Sequence, residues 1–280
     1  MNAPLDLVLF AGTPFSGSTI LQAELGRSDD AIVLGEVDRL RCFARHEHLS
    51  GDAGIYIDEC EFCRLAKRPC PVWTKPLLDA VGRTGGTPDL YREVAAATGR
   101  RVIIDGSKSP HWVASILASP ALEGIRVHLV HCVKHPFAYA LSLSKRTGWP
   151  RTHCVFDWTL VNGDVLSIAA RHSARIDTST LVRVEDFERD PDATIASIGR
   201  RMGLTFGTAI APHNLHFLGG NPRMVESMHA RLSADGGYAA GAVPYKSSDW
   251  REQIGPELRQ RFAGLPGVAS LASILGYPLP

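Results

Sequence analysis

Cysteine is scarce in this sequence, with six residues in 280. That number is too small for a disulfide scaffold, which small secreted domains need. The N-terminal segment lacks the basic start of a secretory signal, and its apolar run, residues 5–11, has only the length of a strand. The apolar run at residues 125–133 is interrupted by charged and histidine side chains and is too short for a membrane span. We therefore expect a cytoplasmic chain with reduced thiols and no stable membrane insertion.

An excess of charge of either sign is also missing. The formal net charge is +1, whereas a general nucleic-acid binder needs a concentrated basic face. Nucleic acid is therefore not expected as a partner, and any anion site must be local. The content of 45% hydrophobic and 21% charged residues is that of a globular protein able to bury a substantial core.

Strand-like segments alternate with helix signals along the chain. Strands are expected at residues 5–11, 31–34, 101–105, 125–133 and 180–184. Helices are expected over residues 20–25 and after the starts Ser109-Pro110, His135-Pro136 and Asp190-Pro191. This alternation predicts one α/β domain over residues 1–280, with a mostly parallel central sheet flanked by helices. A cysteine-containing insertion at about 39–87 and a Gly-rich stretch at 212–248 interrupt the alternation, and we expect them to shape a binding pocket.

The first strand leads into a loop with the spacing of a nucleotide P-loop. Its residues are Gly12, Thr13, Pro14, Phe15, Ser16, Gly17, Ser18 and Thr19. Backbone N–H groups of such a loop, together with the following helix N-terminus, bind anions. Ser18 stands where a P-loop has lysine, so the cation that serves a triphosphate with Mg²⁺ is missing. The loop indicates a phosphate-like ligand, and a plain strand-to-helix turn is the alternative.

A second candidate anion site follows the strand at 125–133. Lys134 ends this strand, Pro136 begins a helix, and Ser142 lies about two turns, or about 11 Å, further along. A lysine and a hydroxyl placed in this way can bracket one phosphate. The alternative is a solvated lysine and a serine inside the helix.

Together the two loops resemble those of the PAPS-dependent sulfotransferases, which have a P-loop NTPase-like fold and use 3′-phosphoadenosine 5′-phosphosulfate (PAPS) as donor. Their pattern [KR]-S-G-[ST]-T is similar to residues 15–19, and R-D-P-R-x-x-x-x-S is similar to residues 134–142. Further similar segments follow in the family's order at residues 34–36, 105–110, 182–187, 220–223 and 249–251. Residues 60–73 resemble the cysteine insertion of a bacterial subgroup. The resemblance covers about residues 7–277.

The resemblance implies that the first loop holds the 5′-phosphosulfate. It also implies that Lys134, Ser142 and Arg223 bind the 3′-phosphate, with Asn221 and Pro222 in the same closing loop. The expected product is adenosine 3′,5′-bisphosphate (PAP). The acceptor is a hydroxyl or amine of a small molecule, carbohydrate or peptide that the sequence does not identify, and homodimer formation stays open.

Three positions depart from the family pattern. Phe15 replaces a basic residue that contacts the bridging oxygen, Lys134 replaces an arginine, and Val184 replaces a tyrosine. The first change removes a cation from the leaving group, and the second exchanges a bidentate fork for a point charge.

Sulfuryl transfer needs a base for the acceptor's proton and a cation for the leaving oxygen. Glu36 is our choice of base because it matches the glutamate of tyrosine-sulfating relatives. Its alternative role is a carboxylate that favours a helix N-terminus. Other candidate bases are Asp38, His46, His48 and His111. Lys108 is our choice of cation because Phe15 cannot serve, and a solvated surface lysine is its alternative.

Two rival functions remain open. A P-loop kinase-like phosphotransferase would need the lysine that Ser18 replaces. A non-catalytic nucleotide-binding protein of the same fold is favoured by the loss of the basic residue at Phe15.

The cysteine insertion carries a candidate structural zinc site. Cys60, Cys63 and Cys70 supply three thiols, and Cys42, His46 or His48 are candidates for the fourth ligand. A local disulfide and plain buried thiols are the alternatives.

Overall fold

A computed structural model describes residues 4–40, 60–78, 89–235, 238–239 and 250–279. Its strands are β1 (Leu5–Gly12), β2 (Ala31–Gly35), β3 (Val102–Lys108), β4 (Ile125–Val133), β5 (Thr178–Arg183), β6 (Ala209–Ile210), β7 (Leu215–Leu218) and β8 (Tyr238–Ala239). Six of them form one sheet in the order β5-β4-β1-β3-β2-β7, and every neighbouring pair is parallel. β6 and β8 form a separate antiparallel pair. The predicted α/β class with a mostly parallel central sheet is confirmed.

Helices connect the strands and pack against the sheet. The described helices are Ser18–Leu25, Glu61–Leu65, Asp89–Thr98, Pro110–Leu117, Pro136–Thr147, Arg151–Arg171, Val184–Arg189, Pro191–Met202, Pro222–Asp235, Trp250–Gln253, Pro256–Ala263 and Val268–Ile274. Three of them begin with proline after a capping side chain, as the sequence predicted at residues 110, 136 and 191. Proline suits this first position because its missing N–H would have no partner there. No helix among the described residues combines the length and the apolar character needed to cross a membrane.

Burial explains the long apolar run of the central strand β1. Residues 7–11 of β1 are fully buried, as expected for a strand of a parallel sheet that helices cover. A second apolar cluster joins the helices Pro136–Thr147 and Arg151–Arg171 to the last three helices, through side chains such as Phe137, Trp158 and Phe262.

Two elements differ from the sequence prediction. β5 covers Thr178–Arg183, and Val184 starts a short helix because acidic Glu185 and Asp186 favour a helix N-terminus. In the stretch that we expected to be a Gly-rich loop, the structure places β7 and the helix Pro222–Asp235. β7 has four residues only, so its sequence pattern is too short to indicate a strand, and pairing with β2 makes it one.

The sheet brings distant segments to one edge. The carboxyl ends of parallel strands lie together, and ligands of open α/β sheets bind there. At this edge lie the loop after β1, Glu36 after β2, Lys108 at the end of β3, Lys134 after β4 and residues 219–223 after β7.

Candidate functional site

A cavity of about 990 Å³ lies at the carboxyl edge of the sheet. The predicted site residues that line it are Gly12, Pro14, Phe15, Gly17, Ser18, Thr19, Glu36, Lys108, Lys134, Ser142, Asn221, Pro222 and Arg223. The remaining two, Thr13 and Ser16, are fully buried in the same loop. Segments that are up to about two hundred residues apart in sequence therefore meet around one space.

The loop after β1 ends at a helix N-terminus that faces the cavity. Gly17 has a left-handed backbone, φ 75°, and the helix Ser18–Leu25 begins directly after it. The first amides of a helix have no partner within the helix, so they are free to bind an anion. Within the described part of the chain, the buried hydroxyls of Thr13 and Ser16 also have no hydrogen-bond partner. The loop thus concentrates polar groups whose hydrogen bonds a ligand or water can complete.

Phe15 is an aromatic residue of this loop that lines the cavity. Its backbone is left-handed, φ 60°, which is uncommon for a residue with a Cβ, and 38% of its surface is exposed. Its ring carries no positive charge, whereas Lys108 and Lys134, at the ends of two other strands, line the same cavity.

Lys134 and Ser142 lie side by side. The Lys134 Nζ donates to the Ser142 Oγ at 3.2 Å, and that hydroxyl in turn donates to the carbonyl of Ala138 at 2.9 Å. Burial lowers the pKa of Lys134, and the charges of Glu185 and Glu188 act in the opposite direction. The side chain is almost completely buried, so the solvated-lysine alternative does not describe it.

Three further cationic residues line the cavity: Arg39, Lys145 and Arg146. They were not predicted from the sequence. Lys145 and Arg146 follow Ser142 by three and four residues on one helix, and this spacing brings side chains to the same helical face. This spacing from Ser142 is the sequence signal that could have identified Lys145 and Arg146 as cavity residues. Lys145 donates to the side chain of Gln253 at 2.9 Å.

Glu36 and Lys108 form a partly buried ion pair beside the loop. The Lys108 Nζ lies 2.6 Å from the Glu36 Oε1, and the Arg39 Nη2 lies 2.5 Å from Oε2 of the same carboxylate. Lys108 has a left-handed backbone, φ 65°, and is 8% exposed. It is therefore not a solvated surface lysine. The pair places a cation and a carboxylate on the same wall of the cavity.

The electrostatic environment separates the candidate bases. Burial acts to raise the pKa of Glu36, but the charges and hydrogen bonds of Lys108 and Arg39 hold that pKa below its ordinary value. Burial, with the charges of Asp105 and Glu36, raises the pKa of Asp38 to about 7. Asp38 is nevertheless not among the described residues that line the cavity. Of these two carboxylates, only Glu36 lines the cavity.

Of the remaining candidate bases, the structure describes only His111. His111 is exposed on the helix Pro110–Leu117 and is not among the described lining residues. His46 and His48 lie outside the described residues. Asp105, whose charge contributes to the raised pKa of Asp38, is fully buried. It accepts hydrogen bonds from the Tyr91 hydroxyl at 2.5 Å and the Trp112 Nε1 at 2.7 Å.

The three predicted cysteine ligands are together, but away from the cavity lining. Their sulfurs and Nδ1 of His216 all lie within 4.8 Å of one another. His216 was not selected from the sequence, because it is 146 residues beyond Cys70 and belongs to β7, a strand that the pattern does not reveal. Cys42, His46 and His48 lie outside the described residues.

Comparison with known proteins identifies the fold. No family model and no curated protein sequence matches this chain. The structure is similar to a sulfotransferase domain of the Synechococcus PCC 7002 olefin synthase, with 21% identity, 100% of this chain and 98% of that chain covered, and a TM-score of 0.64. It is similar to a sulfotransferase domain of the curacin biosynthetic pathway, with 14% identity, both chains fully covered and a TM-score of 0.51. A sulfotransferase from Alicyclobacillus acidocaldarius has 12% identity, 100% and 98% coverage, and a TM-score of 0.50. The chain has the sulfotransferase fold.

Proposed function

We propose that this protein transfers a sulfuryl group from PAPS to a hydroxyl or amine of a small-molecule, carbohydrate or peptide acceptor. One observation carries the proposal: a single cavity is lined by the glycine-rich loop, by the hydrogen-bonded Lys134 and Ser142, and by Arg223. A nucleotide with anionic groups at both its 5′ and its 3′ positions needs two such separated sites. The sulfotransferase fold supports the same proposal.

The loop is proposed to bind the 5′-phosphosulfate through the amides of residues 16–19. The 3′-phosphate is proposed to bind Lys134, Ser142 and Arg223, with Lys145 and Arg146 supplying additional positive charge. Hydrogen bonds between charged groups are about twice as strong as neutral ones, and they would offset the cost of keeping Lys134 buried. No site for Mg²⁺ and a γ-phosphate is required in this arrangement.

The proposed reaction is an in-line displacement at sulfur. The acceptor oxygen or nitrogen forms a bond to sulfur, the bond between sulfur and the 5′-phosphate oxygen breaks, and PAP leaves. Lys108 offsets the charge that grows on the leaving oxygen, because Phe15 cannot. Glu36 takes the acceptor's proton. As Lys108 turns from Glu36 to the donor, the carboxylate loses a neighbouring positive charge, and its pKa rises towards a value suited to a base.

The proposal is tested by incubating the protein with PAPS and a panel of hydroxyl- and amine-bearing acceptors. We expect release of PAP together with an acceptor whose mass has gained one SO₃. Binding of PAP without any transfer, over a broad acceptor panel, would support a non-catalytic nucleotide-binding protein. Transfer of phosphate from ATP with Mg²⁺ would support a kinase-like enzyme instead.

The site proposed for the 3′-phosphate predicts a selective effect of Lys134→Ala. We expect affinity for PAP to fall about 10- to 100-fold, because a buried charge-assisted contact is worth about 1.5–3 kcal/mol. Affinity for adenosine 5′-phosphate, which lacks the 3′-phosphate, should change less than about threefold. Calorimetric titration of both ligands measures the difference. An equal loss of affinity for both ligands would show that Lys134 does not bind the 3′-phosphate.

The proposed base predicts that Glu36→Gln lowers turnover by about 10²- to 10³-fold at saturating PAPS. Since the pKa of Glu36 is depressed in the free protein, kcat/KM should stay level as pH falls to the ordinary glutamate range and decline only below it. Glu61→Gln is the matched control, because Glu61 also pairs with an arginine three residues on, at 2.7 Å, outside the cavity. Unchanged turnover in Glu36→Gln, with a loss in Asp38→Asn, would transfer the role to Asp38.

A further inference from the structure

Three thiols and one imidazole converge outside the lining of the cavity. Nδ1 of His216 lies 4.0 Å from the Sγ of Cys60, 3.6 Å from that of Cys63 and 3.3 Å from that of Cys70. A tetrahedral zinc ion with bonds of about 2.3 Å to sulfur and about 2.0 Å to nitrogen separates its ligand atoms by about 3.5 to 3.8 Å. Shifts of about 1 Å or less would therefore complete the coordination geometry.

The surroundings orient the four side chains as metal ligands. Nε2 of His216 lies 3.1 Å from the carbonyl oxygen of His213, which can only accept, so Nε2 carries the proton and Nδ1 presents its lone pair to the sulfurs. The backbone N–H of Cys63 donates to the Cys60 sulfur at 3.4 Å, and that of Trp73 donates to the Cys70 sulfur at 3.2 Å. Such contacts to the ligand atoms orient the two sulfurs towards the centre of the cluster.

We propose that Cys60, Cys63, Cys70 and His216 bind one Zn²⁺ as a structural site. On binding, three thiol protons pass to solvent, and three thiolates and one neutral imidazole form the four bonds to the metal. Thiolate-rich tetrahedral sites select zinc over magnesium and calcium. Because four protein ligands fill the coordination sphere, no position is left for a catalytic water.

The ion would join the cysteine segment to the edge of the sheet. Cys60 and Cys63 lie at the start of the helix Glu61–Leu65, whereas His216 lies in β7. Phe62 of this helix packs edge-on against His229 of the helix Pro222–Asp235, with ring centroids 5.1 Å apart.

β7 in turn leads into the cavity wall. The carbonyl of Leu218, two residues after His216, accepts from the Glu36 amide at 2.7 Å, and residues 220–223 line the cavity directly beyond. We therefore expect the zinc to hold β7 and the segment 219–223 in place.

Metal analysis of the purified full-length protein tests the site. We expect about one zinc per chain, falling below about 0.2 in Cys63→Ser and Cys70→Ser. Cys154→Ser is the matched control, because Cys154 is a buried free cysteine outside the cluster, and it should keep its zinc. Zinc below about 0.2 per chain in the wild type, iron at full occupancy, or a disulfide among these cysteines would overturn the proposal.

Cobalt substitution keeps the test independent of the folding of the variants. Wild-type protein reloaded with Co²⁺ should show the visible bands of tetrahedral cobalt and a sulfur-to-cobalt charge-transfer intensity corresponding to three thiolates. An octahedral spectrum, or an intensity corresponding to fewer thiolates, would contradict the ligand set.

Hydrogen exchange tests whether the zinc ion stabilises β7 and the segment 219–223. Comparing zinc-loaded with chelator-stripped wild type, we expect amides of residues 215–224 to exchange about tenfold faster or more without zinc, while β1 and β4 keep their protection. Equal exchange at residues 215–224 in both forms would refute the holding role. The measurement uses no nucleotide, so its outcome is separate from the success or failure of the proposed transfer reaction.

Discussion

Lys108→Ala is expected to lower turnover by about 10²- to 10³-fold while affinity for PAP changes less than about fivefold. The reason is that the Lys108 charge matters most when negative charge develops on the leaving oxygen, whereas the ground state of the donor is bound by the loop and the 3′-phosphate site. Turnover is measured with the acceptor found by mass gain, and affinity by calorimetry. Equal losses of turnover and of affinity would make Lys108 a simple binding residue.

Lys67→Ala is the matched control for this substitution. Lys67 also has a left-handed backbone, with φ 50° against 65° for Lys108, but it is exposed and not among the residues that line the cavity. Any cost of placing alanine in that backbone conformation is therefore shared by both variants. A large loss of turnover in Lys67→Ala would show that backbone conformation, and not the Lys108 charge, causes the effect. Lys108→Arg should recover part of the rate because it restores a positive charge.

Gly12→Ala is expected to destabilise the protein by about 3 kcal/mol or more. Gly12 has φ 141°, and a Cβ at this position would lie 2.2 Å from the carbonyl oxygen of Cys132. That oxygen belongs to β4, which pairs directly with β1 in the centre of the sheet, so it cannot move aside without breaking the strand pairing. Thermal unfolding should show a fall in Tm of about 6–12 °C.

Gly163→Ala is the comparison variant, for which we expect an increase in stability instead of a loss. Gly163 lies inside the helix Arg151–Arg171, and a Cβ there would meet nothing within 4 Å. Alanine should therefore stabilise this helix by about 0.5–1 kcal/mol. A Tm for Gly12→Ala equal to that of the wild type would show that the close packing of β1 against β4 is not required.

The opening loop shows what local sequence decides. An apolar strand, a Gly/Ser loop and a helix start follow one another within residues 5–25, and the structure has this arrangement. The spacing from Lys134 to Ser142 left a solvated lysine open, and only the family resemblance favoured a shared site; in the structure the two side chains are hydrogen-bonded. Short-range geometry determines the strand, the loop and the helix start, so the local sequence was enough to predict those three features.

The wider cavity could not be predicted in the same way. Arg39 and Lys145 are ordinary cations in sequence, and only the folding of the chain turns them towards the loop. The depressed pKa of Glu36 also depends on its ion pair with Lys108, which is 72 residues away. Electrostatics at a buried site depends on distances that no local pattern contains.

By itself, the sequence determined the α/β class, the strand, loop and helix of residues 5–25, and three thiols placed to cluster, because each rests on residues close together in the chain. Tertiary structure decided what the family resemblance had only implied, that the loop and the residues of the β7 segment share one cavity. It also decided that His216 is the fourth member of the cysteine cluster. The physical reason is the parallel sheet, which brings the carboxyl ends of strands distant in sequence to a single edge.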